Sequence, residues 1–207
     1  MNAPRPPNRT RGATLIEVLV SILLMSFALL GIAGLMGATI RYQLGIESRS
    51  VVTLLFNDLT SRLRTNLAQL ADFDASAYLY SATWASQQAT ITAPASNCGP
   101  TATTTCTGTA RAAYDLWESR STTRRALPQG SLQLSGNTTN GFVVTYLWLD
   151  KDYTDPAIVT TANPSGLRTS ATCTTSGTQT QRQTCCPIAA NVASTPGVRC
   201  LNLTFIP

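Results

Sequence analysis

From Ala13 to Ile40 the chain is almost wholly apolar and carries one charge, Glu17. An α-helix rises about 1.5 Å per residue, so roughly 20 apolar residues cross a bilayer core. This run is long enough to span. Arg5, Arg9 and Arg11 precede it without any acid, which predicts a cytoplasmic N-terminus and an outward-facing remainder. A secretory signal peptide has a shorter apolar core with its small-residue cleavage site behind it. Here the small residue, Gly12, lies in front. A plain anchor has no use for Glu17, because a lone carboxylate in a span costs about 2.5–3.5 kcal/mol on insertion scales and is usually paired and functional. A buried core helix is the third alternative, and an apolar run of this length in a small domain argues against it.

The basic leader, Gly12 and Ala13-Thr-Leu-Ile-Glu17-Val-Leu-Val together resemble the prepilin signal of type IV pilins and type II secretion pseudopilins. The resemblance implies cleavage after Gly12 by a prepilin peptidase and methylation of the new N-terminus at Ala13. The family's usual first residue is Phe, and this chain has Ala. Glu17 then matches the glutamate five residues into the mature chain, whose partner in the family is the α-amine of a neighbouring subunit. Among apolar helices such a pair is the one attractive polar contact. The expected organisation is a leader over residues 1–12, a membrane and polymerisation helix over 13–40, and an outward domain over 41–207.

About 160 residues remain beyond the span, enough for one domain with a core. Fifteen Lys and Arg face ten Asp and Glu, and three of the basic residues leave with the leader. The pI near 9.1 therefore overstates any case for nucleic acid. No basic stripe interleaved with aromatics follows Ile40, so nucleic acid is not an expected partner. Arg120, Arg124 and Arg125 form the densest basic cluster and read as a solvated helix face.

There is no His, and all six Cys lie beyond the span: Cys98, Cys106, Cys173, Cys185, Cys186 and Cys200. An even count on the outward side of a membrane reads as disulfides. A zinc site would lack His and any Cys-x-x-Cys spacing. Six cysteines allow fifteen connectivities, and sequence does not choose among them. Cys98 and Cys106 form the natural local pair. The adjacent Cys185 and Cys186 are expected to take different partners, Cys173 and Cys200.

Gly31, Gly34 and Gly37 recur every third residue in the outer half of the span. Two readings stand: close helix–helix packing, or a weak zone where the helix loosens in a fibre. Beyond Arg41, Leu44, Val51, Leu55, Leu59, Leu63, Leu67 and Leu70 fall mostly three or four apart, predicting that the helix continues as an amphipathic stripe. Residues 72–105 read as a loop with a helical turn near Ser76–Ser86, corresponding to the family's αβ-loop. Residues 109–127 read as a second helix, capped by Thr107 or Thr109 and ended by Pro128 and Gly130. Its expected apolar face is Ala110, Ala113, Tyr114 and Trp117.

The words Cys106 to Glu118 and Leu127-Pro-Gln-Gly130 resemble the "Cys … Ala-x-x-Asp-Leu-x-x-Trp … Leu-Pro-x-Gly" pattern of PilV-type minor pilins, with Asp115 and Leu116 in register. Trp117 sits early, and Ser119 or Arg120 holds the usual tryptophan position. Asp115 is expected to be satisfied by solvent or nearby backbone, and it is not read as catalytic. Strands are predicted over 131–135 and 141–149, with a turn at Asn137–Gly141, a short strand over 157–159, and a last strand over 198–206. Apolar residues on both faces of 141–149 mark a central strand with the long helix on one side. Asp150, Asp152 and Asp155 lack the late Glu and the Gly of a calcium loop and read as a solvated turn. Residues 163–196 read as a long loop pinned by cysteines.

Without His, a Ser-His or Cys-His nucleophile is excluded. Asp72, Asp74, Asp150 and Asp152 have no spacing that suggests paired-carboxylate chemistry. No Gly-rich phosphate loop follows a strand. The expectation is an α+β, pilin-like structural protein with no catalytic residue, cofactor or metal. The resemblance implies a minor pilin of the inner membrane that enters the pilus. Its implied partners are prepilin peptidase, other minor pilins, the major pilin and a tip adhesin. A minor pseudopilin of a type II secretion system is the nearest alternative. A tethered periplasmic enzyme or ligand-binding domain and a DNA-uptake protein are further ones.

Overall fold

The structure is a computed structural model that describes residues 14–69, 75–103 and 105–206. Gly12, Ala13, the rest of the leader, Leu70, Asp72 and Asp74 lie outside the described residues, as does the side chain of Leu44. Contacts divide the chain into two units, the first ending at Leu44 and the second beginning at Gly45.

Helix α1 runs Leu15–Gln69. Its stretch Leu15–Ile40 has a mean hydropathy of 2.6, and none of it is buried within the chain. The hydroxyls in this stretch do not need water. Ser21 Oγ donates to the Glu17 carbonyl at 2.7 Å, Ser26 Oγ to that of Ile22 at 2.8 Å, and Thr39 Oγ1 to that of Leu35 at 2.7 Å. Internal satisfaction of every polar group is what a hydrocarbon environment demands.

In the second unit, α1 packs against a three-stranded antiparallel sheet in the order β1 (Ser131–Asn137), β2 (Gly141–Leu149), β3 (Val198–Phe205). β2 is central, as its two apolar faces require. One face of the sheet, with Leu132, Leu134, Phe142, Val144, Tyr146 and Phe205, meets Val52, Leu59 and Leu63 of α1. The buried stripe of α1 is shifted from the expected one. Val52 and Asn66 are buried, Val51 and Leu55 only partly so, and Leu67 is exposed. The other sheet face, with Leu147, Val198 and Cys200, is covered by Trp84, Cys186, Ala190 and Val192.

A 3-10 turn (Ala75–Tyr78) and a short helix α2 (Trp84–Gln87) follow α1. Tyr80 then bridges to Leu134 on β1, its N–H donating at 2.9 Å and its carbonyl accepting at 2.8 Å. Helix α3 (Gly108–Ala126) is capped by Thr107, whose hydroxyl accepts from Ala110 N–H. It buries Gly108, Ala112, Asp115, Ser119 and Thr123, not the expected face of Ala110, Ala113, Tyr114 and Trp117. Small and hydrogen-bonded side chains let α3 approach the core closely. Thr123 Oγ1, for example, donates to the Ser119 carbonyl at 2.7 Å. Tyr114 and Trp117 pack on each other at 5.4 Å. α3 ends with Leu127 as its C-cap, and the turn behind it needs Gly130, because a Cβ there would lie 2.1 Å from the Thr123 carbonyl oxygen.

Asn137 Oδ1 holds the hairpin between β1 and β2 by accepting from Thr139 and Asn140 N–H at 3.0 and 2.7 Å. Residues 156–158 form a 3-10 turn rather than the expected short strand. Asp155 caps it by accepting from Ala157 N–H, and Pro156 presets the first φ. The segment between β2 and β3 also contains helix α4 (Gln179–Thr184), closed at its start by a Thr178–Gln181 capping box. This gives an α+β fold of the pilin-like kind.

Candidate functional site

Three disulfides fasten the second unit: Cys98–Cys106, Cys173–Cys185 and Cys186–Cys200. The adjacent Cys185 and Cys186 thus have different partners. Cys200 on β3 faces away from α1, so its bond ties the long connection to that side of the sheet. Arg111 and the Cys98 carbonyl are hydrogen-bonded, which anchors the Cys98–Cys106 loop to α3.

A buried polar cluster joins α1, the turn after it and α3. Asp115 is 3 % exposed. Its Oδ2 accepts from the Tyr78 hydroxyl at 2.8 Å and from Asn66 Nδ2 at 3.1 Å. Asn66 Nδ2 also donates to the Tyr78 oxygen. Arg62 Nη1 lies 3.4 Å from Asp115 Oδ1 and donates to Glu118 Oε2 at 2.7 Å, while Arg62 Nε donates to Asp58 Oδ2 at 2.8 Å. Burial pushes the Asp115 carboxyl above the usual range, and its bonds to Tyr78 and Arg62 pull it only partly back. Arg62 divides its charge among three acids and sits closer to the other two. Burial, and then the neighbouring Asp115 charge, raise the Tyr78 phenol. Asp115 is therefore held by side chains from two other elements, and the expectation of a solvent-satisfied residue is corrected.

A second cluster joins the sheet to the stapled connection. Asn202 on β3 accepts from Thr145 Oγ1 at 2.6 Å and donates through Nδ2 to the carbonyls of Arg182 and Cys185 at 2.7 and 2.9 Å. Neither Asn202 nor Tyr78 was singled out from the sequence. Asn202 alternates in phase with Cys200, so it shares the face that the stapled loop covers, and that phase was the available signal.

The basic cluster on α3 is corrected in part. Arg120 lies 4.2 Å over the Tyr80 ring, and Arg124 donates to the carbonyls of Gly130 and Gln88 at 3.0 and 3.2 Å. Only Arg125 is exposed. Asp150 is likewise more than a solvated turn residue, because Arg199 Nη1 reaches its Oδ2 at 2.9 Å.

In the first unit Glu17 is exposed in the first turn of α1, where a carboxylate complements the helix dipole. Its N–H donates to the Thr14 carbonyl at 3.0 Å. The helix continues through Gly31, Gly34 and Gly37, and among the described residues nothing outside the helix's own nearby backbone lies within 4 Å of where a Cβ would sit on any of them.

A family model described as prokaryotic N-terminal methylation motif matches residues 7–33. No curated protein and no solved structure matches the chain. The motif, the apolar helix behind it and the disulfide-stapled α+β unit support a type IV pilin-like protein, a class that contains pilins and pseudopilins. An apolar helix with this motif fits membrane anchoring.

Proposed function

We propose that this chain is a minor type IV pilin of the PilV type. In this reading prepilin peptidase cuts between Gly12 and Ala13 and methylates Ala13. The mature chain waits in the inner membrane with its second unit in the periplasm. It then joins other minor pilins to prime the pilus and connect the fibre to a tip adhesin, in service of attachment and twitching. The observation that carries this reading is the methylation motif over residues 7–33, leading into an apolar stretch whose one charge is Glu17.

The physics supports polymerisation through α1. A lone carboxylate in lipid gains most from a cation on a neighbouring helix, and a freshly cut α-amine is such a cation. The stapled unit, held together by its two buried polar clusters, presents a fixed surface for choosing neighbours. Intact-mass and N-terminal peptide measurements on the chain purified from cells with an active peptidase test the reading. The expected N-terminus is methylated Ala13. Glu17→Gln is expected to insert normally but to be depleted from sheared filaments. A retained leader, or equal recovery of the variant and wild type in filaments, overturns the proposal.

A further inference from the structure

Two adjoining cavities lie between the sheet, α4 and α1. One of about 280 Å³ is lined by Tyr153, Arg182 and Thr184 among others. The other, of about 150 Å³, shares Tyr153 and Thr184 with it and adds Arg49, Trp148 and Arg199. Among the described residues, the charged side chains lining this cleft are all arginines. Arg199 is fixed by Asp150 at 2.9 Å and lies 5.0 Å over the Tyr153 ring. Arg49 and Arg182 are exposed and form no ion pair among the described residues. Trp148 is 3 % exposed, and its indole N–H has no hydrogen-bond partner among the described residues.

We infer that this cleft binds an acidic polypeptide segment of a partner protein, seating one carboxylate near Arg182 and a second near Arg49 and Arg199. The charge argues for this occupant. Guanidinium forks match carboxylates in geometry, and two of the three here form no ion pair among the described residues. The two chambers, joined at Tyr153 and Thr184, suit an extended chain with more than one acidic side chain. That the partner is another subunit of the fibre rests on the function proposed above. The preference for carboxylates does not.

The test uses the purified full-length chain in detergent, so it is independent of leader cleavage and filament entry. The probe is a blocked peptide of alternating Glu and Asp, with its Gln/Asn counterpart as the neutral control and an oligogalacturonate as the acidic-sugar competitor. Calorimetry is expected to show binding of the acidic peptide alone, weakened by added salt. Arg49→Gln and Arg182→Gln are each expected to lower affinity about tenfold. Arg125→Gln, a matched charge loss on α3, is expected to leave it unchanged. Equal binding of the neutral peptide, indifference to both cleft variants, or tighter binding of the oligogalacturonate at equal carboxylate concentration overturns the inference.

Discussion

The Tyr78 hydroxyl donates to Asp115 at 2.8 Å in a site closed to solvent, and this bond links the segment after α1 to α3. Tyr78 and Asp115 stand 37 residues apart in sequence. Asn66 reaches the same carboxylate oxygen from α1, so three elements meet at one atom.

Removing that acceptor should be costly. Asp115→Ala leaves the Tyr78 hydroxyl and the Asn66 amide buried without it and loosens Arg62. An unsatisfied buried polar group costs about 1–3 kcal/mol, so the variant is expected to lose roughly 3 kcal/mol. Near-UV circular dichroism melting of the full chain in detergent should show a transition several degrees lower. An unchanged Tm would show that the cluster does not hold the elements together.

The same carboxyl gives a pH signature. Its pKa is raised in the folded chain, chiefly by burial. The folded state then binds this proton more tightly than the unfolded state, whose carboxyl titrates at about 3.9. The stability contributed by Asp115 is fully present below that value and is lost as pH rises through the raised folded pKa. Asp115→Asn cannot titrate, so its destabilisation relative to wild type is expected to be larger at pH 3 than at pH 7. Paired melts at the two pH values check this. A cost that grows with pH would mean that the cluster favours the ionised form.

Asn202 makes a parallel prediction on the other side of the sheet. Asn202→Ala strands two loop carbonyls and the Thr145 hydroxyl. The expected loss is about 2 kcal/mol. Cys173–Cys185 and Cys186–Cys200 still tether the chain on either side, so the change should be local. Hydrogen exchange should quicken at residues 179–186 while α3 stays protected. Uniform quickening would contradict a local role.

What sequence made legible follows from period and chain chemistry. The double-faced β2 and the alternating β3 bury the faces that backbone geometry dictates, and the apolar run forms one continuous exposed helix, so their patterns sufficed. The buried face of α3 does not follow its apolar residues. Asp115, Ser119 and Thr123 go inward because their polar atoms find partners or their small size admits close packing, which no local pattern announces. The strand expected over 157–159 fails for a related reason, since residues 156–158 form a 3-10 turn. Three apolar residues suggest a strand, but Asp155 and Pro156 together close a turn.

If the chain polymerises as proposed, the glycines of α1 distinguish two ways of building the fibre. Among the described residues nothing crowds Gly34, so a side chain there fits the isolated chain. Ala at this position should favour the helix by about 1 kcal/mol. If the three glycines serve close approach of neighbouring helices, a small residue remains acceptable and a large one does not. If they serve to loosen the helix, any residue that stiffens it is harmful, Ala included. Exposure of all three glycines on an unbroken helix favours close approach. Gly34→Ala is therefore expected to enter sheared filaments as wild type does. Gly34→Leu is expected to reach the membrane in normal amounts and to be depleted from filaments at least several-fold. Quantitative immunoblots of membrane and sheared fractions separate the outcomes. Depletion of the alanine variant would assign the glycines to loosening, and full recovery of the leucine variant would remove them from the subunit contact altogether.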